Sequence, residues 1–503
     1  MTNITLPDWP WRTICRLADE RRQPIWLVGG AVRDALLARP VHDWDFATEQ
    51  EAMGLARAAA DALGGAYFPL DKERDTGRIV LTASTGARLE LDFAALREVD
   101  LEGDLRARDF TINAMALDAA GRLFDPTGGQ SDLEANLIRA VSEGAFRSDP
   151  VRLLRAVRLE AQLGFEIEPQ TAAWIHRDAD KAAIPSAERM RDEFARMLIS
   201  PKAVMPLQRL DEFGLLPYIA PELRPLKEVA QSPPHRFDVW RHTLLTVDAL
   251  EGVVAAIVGQ EVESRPLVNV PPAAWDNLAR ELGQFADDLT AHLSIEVSSG
   301  RDRTGLLKLA ALLHDIGKPQ TQSQDSEGRI HFYEHEPMGA RMASARLKKL
   351  RFSRDEAKCV YTIIEQHLRP AHLSRAKKVT RRAVYRYFRV ADRAGIDAAL
   401  LSLADHLATW GPNLREQCWR RQIEVVKILL THYFKRREET IAPPPLVTGN
   451  DLMITLELEE GPEIGRLLEE LQESQAAGEV QTREEALALA AQTHASRLLD
   501  NPH

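Results

Sequence analysis

IWLVGGAVRDALLARPVHDWDFAT, residues 25–48, decides how this chain is read. IWLVGG has the apolar run of a buried strand that stops in a glycine turn, and AVRDALLA leaves that turn as a helix. HDWDFAT returns as a second strand. Side chains two apart on a strand share a face, so Asp43 and Asp45, either side of Trp44, point the same way. Such a pair suits divalent cations, Mg²⁺ above all, because that ion prefers oxygen ligands and keeps phosphate in its shell. Gly29 and Gly30 let the backbone come close to a ligand, and the following helix offers amides to an anionic phosphate. A lone Asp-x-Asp is mostly a surface feature. Behind a strand, a glycine turn and a helix, it points to metal-assisted phosphoryl chemistry.

Further along, RIVLTAS (78–84) and LELDFAAL (89–96) read as strands. LELDFA carries Glu90 and Asp92 on one face, and Asp92 is preferred as a third acid beside Asp43 and Asp45, an exposed strand acid being the plainer alternative. In RARDFTINAMALD (106–118), Asn113 lies one helical turn beyond Asp109. As local structure, Asp109, Thr111 or Asn113 caps a helix. As function, Arg108 takes a triphosphate and Asp109 and Asn113 take ribose hydroxyls. From about Asp149 the pattern becomes nearly continuous helix. SPPHRF, around Pro233 and Pro234, and IAPPPLVTGN, around Pro443 to Pro445, mark domain boundaries. A polar, Pro-containing segment between Gly259 and Arg303 reads as an insertion.

At 503 residues the chain is too long for one core. With 45% hydrophobic and 28% charged residues, a soluble globular protein is expected and long disorder is not. Cys15, Cys359 and Cys418 lack ligand spacing, which suits a reducing compartment. The N-terminus has no basic and apolar signal pattern, and no run approaches the roughly 20 apolar residues of a membrane span. A cytoplasmic multidomain protein with no membrane contact is expected; its oligomeric state is not legible. The net charge of −11 argues against a nucleic-acid partner, but the acids concentrate near the C-terminus, from Glu457 to Glu485. Arg375, Lys377, Lys378, Arg381, Arg382, Arg386, Arg389 and Arg393 form a basic stretch that reads either as a seat for an RNA backbone or as a solvated helix face.

GGAVRDALLARPVHDWDFAT, RARDFTINAMALD, DPVRLLRAVRLEAQLGF and ERMRDEF, in this order, resemble the class II CCA-adding tRNA nucleotidyltransferases and the related bacterial poly(A) polymerases. The likeness is close over about the first 220 residues, and PPLVTGNDL, GPEIGRLLEEL and TREEAL resemble the tail of bacterial members. It implies catalysis by Asp43, Asp45 and Asp92, with Mg²⁺ on Asp43 and Asp45. It also implies nucleotide binding by Gly29, Gly30, Arg33, Arg108, Asp109, Asn113, Asp149, Arg152, Arg155 and Arg158. The partners implied are CTP, ATP and the 3′ acceptor end of tRNA.

Within that resemblance, Asp149 and Arg152 choose the nucleotide. Residues three apart share a helix face. An ionised Asp only accepts hydrogen bonds and Arg only donates. Cytosine and adenine offer an exocyclic amine beside a ring-nitrogen acceptor, whereas uracil and guanine would set a carbonyl oxygen against the Asp. Asp149-Pro150 also has the form of an ordinary helix start. The family usually has Glu before this Asp; Ser148 stands there, which removes a supporting group. Arg155 and Arg158 continue the face, orienting the pair or meeting phosphate. Glu188, Arg189 and Glu193 match a later motif and either brace the helices or touch substrate.

KLAALLHDIGKP (308–319) is an apolar helix ending in His314-Asp315 before Gly317, and it resembles the HD phosphohydrolase superfamily. His242, His335, His367 and Asp405 complete the order of its fuller, two-metal sites. The resemblance implies a transition metal such as Ni²⁺, Co²⁺ or Mn²⁺, with which imidazole ligands agree, and metal-bound water there would give phosphatase or phosphodiesterase activity. Lys318 either holds a phosphate or is an ordinary lysine after a helix end.

The expected fold is α+β: a nucleotidyltransferase palm with a mixed sheet (1–145), then helical neck (146–230), HD domain with the insertion near 259–303 (231–410), and helical tail (411–503). The expected activity is template-free addition of CCA, or of CC or A alone, to tRNA. The alternatives are a poly(A) polymerase, or an HD hydrolase using the head to bind RNA. A (p)ppGpp synthetase–hydrolase has the two halves in the opposite order.

Overall fold

The computed structural model describes residues 8–41, 43–82, 88–262, 267–298 and 300–500. Two compact units emerge, one of residues 1–197 with 206–218, the other of residues 198–205 with 219–503.

The first unit is built on a mixed seven-stranded sheet in the order β3-β4-β5-β2-β1-β6-β7. The strands are β1 (Ile25–Val28), β2 (Asp43–Thr48), β3 (Ala66–Asp71), β4 (Thr76–Thr82), β5 (Arg88–Ala95), β6 (Ala116–Asp118) and β7 (Leu123–Phe124). β2 runs antiparallel to β1 and parallel to β5, with Asp43 beside Glu90 and Asp45 beside Asp92. The register fixes both faces. Leu27, Trp44, Phe46, Ile79, Leu91 and Phe93 fall on one side and are all essentially buried. The helix Ala52–Leu63 covers β4 and β5 on this side and packs on Asp8–Glu20, from which Trp11 stacks against Phe46. Each such side chain contributes about 1.5–3 kcal/mol on burial. Alternation therefore drives Asp43, Asp45, Glu90, Asp92 and Arg78 to the opposite side. Ala83 and Ser84, the end of the expected strand RIVLTAS, lie outside the described residues.

Helices follow. Arg152–Leu163 buries Leu153, Leu154, Val157 and Leu159, and ends at Gly164 in the left-handed conformation (φ 71°) that suits a helix C-terminus. Its buried Glu160 takes both arms of Arg209, at 2.8 and 2.9 Å.

The second unit is nearly all helix. Val239–Ile257, Arg303–Leu313, Arg354–Gln366 and Ala394–Trp410 pack together. The segment expected as an insertion packs on this body: Pro272–Leu282 lies on Val239–Ile257 and on Glu416–Lys435. Trp275 fills the space over Gly252, where a Cβ would lie 2.7 Å from its ring. Polar composition concealed a helix whose buried face is only Ala274, Asn277, Leu278 and Leu282. Residues 263–266 and 299 of that segment lie outside the described residues. The tail helices Gly449–Leu456, Pro462–Ala477 and Arg483–Asp500 share a core around Leu452, Leu467, Leu471 and Ala486.

The basic stretch is neither an open RNA seat nor a fully solvated face. Arg382 and Arg386 pair with Glu473, Arg382 also with Glu479, and Arg389 with Glu469, at 2.5 to 3.1 Å. The C-terminal acids thus neutralise Arg382, Arg386 and Arg389 within it. Among the described residues, no helix is long and apolar enough to cross a membrane.

Candidate functional sites

The palm site begins with backbone geometry. Gly29 has φ 73°, which favours glycine, and a Cβ there would sit 3.0 Å from Arg108 Nη1 and 3.5 Å from Asp45 Oδ2. The turn, the paired acids and Arg108 are therefore one cluster. Arg108 Nη2 reaches Asp104 at 3.4 Å, while its Nε is buried without a hydrogen-bond partner, a donor suited to an incoming anion. Asp43 is exposed and Asp45 half-buried. Burial pushes the Asp45 carboxyl up to about 6; Arg108 opposes that, and Asp92 and Asp43 add to it. A cation would relieve this cluster of like charges. Mg²⁺ must displace the proton, so its affinity here is expected to fall about tenfold per pH unit below about pH 6, as titration of the metal would show.

Asp92 stands in register beside Asp45 but is already committed. Arg78 grips it at 2.7 and 2.8 Å and reaches Glu90 at 2.5 Å. Alternation in the sequence placed Asp92 and Glu90 on the right face, yet gave no sign that Arg78, one strand away, would hold both.

A second set of polar groups runs away from the turn. Arg33 Nη1 donates to Asn113 Oδ1 (2.7 Å), and Asn113 Nδ2 to Asp109 Oδ1 (3.2 Å). Asp109 also accepts from Arg155 (2.9 Å), and Glu193 accepts from Arg155 (3.1 Å) and Arg158 (2.5 Å). Burial disfavours charge on Asp109, but Arg155 and the backbone of Phe110 outweigh it and its pKa is lowered. Residues 111–113 form a single 3-10 turn, and the Asp109 carboxylate accepts from Phe110 N. Arg33, Asp109, Asn113, Arg155 and Arg158 are thus brought together, with Glu193 as brace.

Asp149 and Arg152 do not share a helix face. Asp149 is extended (φ −149°, ψ 95°) and the helix begins only at Arg152, because Pro150 disfavours helical geometry before it. The Arg152 guanidinium bonds the carbonyls of Arg108 (3.1 Å), Ala107 (3.0 Å) and Ala145 (3.2 Å) and the Ser148 hydroxyl (3.2 Å). Asp149 is gripped instead by Arg189.

The second site lies within the helical unit. His314, His335 and His367 each turn Nδ1 to the carbonyl three residues earlier, at 2.8, 2.8 and 2.6 Å. Donation from Nδ1 leaves Nε2 as the free lone pair, the form a metal requires. His242 Nε2 and Asp315 Oδ1 are buried without a hydrogen-bond partner, and Asp315 Oδ2 meets only the charged neighbours Lys318 (2.7 Å) and His314 (3.2 Å). Asp405 Oδ1 lies 3.0 Å and Asp315 Oδ2 3.6 Å from His242 Nε2, and Asp315 Oδ1 lies 3.5 Å from His335 Nε2. Two groups, His242–His314–Asp405 and His314–Asp315–His367, each gather ligand atoms within 4.8 Å of one another. Lone pairs converging in this way would suit a divalent ion, and His314 belongs to both groups. Protonation agrees. Burial holds His242 below its usual range and takes His367 to about 3. Asp315 and Asp405 stay below the ordinary carboxylate range, neighbouring histidines overcoming burial.

Lys318 is buried beside Asp315 (2.7 Å) and donates to Gln231 (2.7 Å). Gly317 does more than end a helix: a Cβ there would lie 2.3 Å from the His335 carbonyl, so only glycine lets the two ligand segments touch. A cavity of about 1020 Å³ opens over these groups, lined also by His235, Tyr333, His406 and Trp410. The sequence reading missed His235. Its ring stands edge-on to His242 at 4.9 Å, its Nδ1 is buried without a partner, and burial lowers it to about 3. It sits in SPPHRF, where proline spacing signals a linker and gives no hint of a site.

Four family models match in order. The poly A polymerase head domain covers residues 25–139, and the probable RNA and SrmB-binding site of polymerase A covers 164–227. The HD domain covers 277–410, and domain 2 of tRNA nucleotidyltransferases covers 416–491. An A-adding tRNA nucleotidyltransferase of Deinococcus radiodurans is 35% identical over 92% of this chain and 94% of its own. A CC-adding tRNA nucleotidyltransferase of Thermus thermophilus is 34% identical over 95% and 96%. Thermotoga maritima CCA-adding enzyme, solved in complex with tRNA, shares the fold with a TM-score of 0.56 at 20% identity, over 98% of this chain and 97% of that one. Ordered motifs, palm geometry and full-length relatives agree: the chain belongs to the family of tRNA nucleotidyltransferases that carry a poly(A) polymerase-type head and an HD domain.

Proposed function

We propose that this protein adds nucleotides to the 3′ end of tRNA from CTP and ATP without a nucleic-acid template. The observation that carries the reading is the single sheet face on which Asp43 and Asp45 meet Gly29 and the unpartnered Nε of Arg108. Oxygen-only ligands suit Mg²⁺, which Asp43 and Asp45 would hold and which, when bound, would supply activation of the attacking hydroxyl and charge neutralisation of the leaving pyrophosphate. Arg108 and the glycine turn receive the triphosphate, and Arg33, Asn113 and Asp109 line the sugar side. Asp92, kept by Arg78, fixes the edge of the acidic face. Asp149 with Arg152 reads the base. Residues 1–145 are assigned to the palm, 146–230 to the neck, 231–410 to the HD domain and 411–503 to the tail. Charged NTPs and tRNA as substrates put the enzyme in the cytoplasm.

The test uses tRNA ending at the discriminator base, and tRNA ending after CC, each with one labelled NTP and Mg²⁺. Addition that stops after C, C and A, or after a subset of these, supports the reading. Open-ended A addition supports poly(A) polymerase instead.

A second activity is favoured by the orphaned imidazole and carboxylate atoms of the HD centre. We assign it phosphoester hydrolysis with a transition metal such as Ni²⁺, Co²⁺ or Mn²⁺, the mixed imidazole and carboxylate set suiting such ions. His242, His314, Asp315, His335, His367 and Asp405 would hold the metal, with Lys318 beside Asp315.

A further inference from the structure

We infer that Arg189 is a positioning residue that sets base choice by keeping Asp149 an obligate hydrogen-bond acceptor. The inference rests on the proposed reading of the base by Asp149. The geometry is a bidentate fork, Arg189 Nη1 to Asp149 Oδ1 at 2.9 Å and Nη2 to Oδ2 at 2.7 Å. Arg189 projects from the helix Ala187–Leu198, and Asp149 precedes the helix Arg152–Leu163. A carboxylate has about four acceptor positions. The fork takes two and the Val151 amide a third, which leaves one, enough to receive the exocyclic amine of cytosine or adenine. A protonated carboxyl would carry an O–H donor, and that donor suits the carbonyl oxygen that uracil and guanine present in the same place. Discrimination by Asp149 therefore requires ionisation as well as position.

The surrounding charges make Arg189 the group responsible. Arg152 faces Asp149 from the next helix, but its guanidinium bonds backbone carbonyls and Ser148, and Asp109, Arg155 and Arg97 stand behind it. Arg147, on the segment before Asp149, turns to Asp178 at 3.4 Å. Burial of Asp149 raises its carboxyl pKa. The Arg189 bonds and charge, then Arg152, outweigh that and bring it below the ordinary range. Without Arg189, burial is opposed chiefly by the Arg152 charge and the Val151 amide, and the carboxyl moves back up.

The experiment measures misincorporation ratios, UTP to CTP and GTP to ATP, between about pH 8 and about pH 5.5 on tRNA acceptors. The ratio cancels pH effects on the chemistry common to both nucleotides. Wild type should give a flat, low ratio. Arg189→Ala should give a ratio that climbs toward about tenfold per pH unit in the acid arm, following the protonated fraction. Arg189→Lys, which keeps a charge, should delay the climb to lower pH. Asp149→Asn, which holds a donor at every pH, should give a high, flat ratio. Should Arg189→Ala match wild type, or relax equally at all pH, while Asp149→Asn relaxes, the ionisation role is overturned and base reading by Asp149 stands. Should Asp149→Asn stay faithful, base reading by Asp149 falls and this inference with it.

Discussion

Replacing Asp45 by alanine is expected to cut nucleotide incorporation by at least about a thousandfold while leaving the fold intact, because a cation held there carries the transition-state charge. Asp43→Ala should follow it. Stability argues that the loss would be chemical. The Asp45 carboxyl is pushed up to about 6 in the folded state from its ordinary value of 3.8, so the folded state binds the proton more tightly. Its contribution to stability is therefore greatest in acid and falls as pH rises through that window, the reverse of a paired aspartate. Above pH 6 the cation-free palm bears an unfavourable charge at this position, and alanine removes it. Thermal melting of Asp45→Ala in chelator at pH 7.5 should be no lower than wild type. Melting well below wild type would make Asp45 a structural residue, and retained incorporation would remove it from the site.

The second large effect is expected at the other centre. His314→Ala should reduce retained transition metal at least about tenfold and abolish phosphoester hydrolysis, with nucleotide incorporation preserved. His314 Nε2 lies 3.2 Å from Asp315 Oδ2, and burial on His314 is outweighed by that carboxylate, which raises the imidazole. Removing it leaves Asp315 leaning on Lys318 and His335, so a loss of about 3 kcal/mol in metal-free stability is expected as well. Metal content by mass spectrometry separates the two effects. Unchanged metal content with unchanged hydrolysis would dismiss the HD centre as a metal site.

Much of the palm was legible because strand alternation is a local rule. HDWDFAT and LELDFAAL each assign faces by counting, and the parallel register only aligns what counting had separated, Asp45 beside Asp92. The HD histidines His242 and His314 were legible because they sit on or at the end of apolar helices, whereas His335 opens the polar helix His335–Lys349 and stood out only by its place in the order. What stayed hidden depended on partners distant in sequence. Nothing near Asp92 announces Arg78, and nothing near Asp149 announces Arg189, 40 positions away. The expectation that Asp149 and Arg152 share a helix face failed at Pro150, whose ring favours an extended residue before it. The basic stretch misled in another way. Its arginines were counted without the acids of the tail helix that meet them across the fold. His235 was invisible because a ring packed against another ring leaves no periodic signature.

Competition among all four NTPs, at equal concentration on one tRNA lacking its 3′ terminus, with product ends read by sequencing, tests the central claim most directly. The account predicts C, A or both at defined positions, exclusion of U and G by at least about a hundredfold, and termination after no more than three additions. Comparable entry of U or G, or an A tail without a defined end, would contradict it.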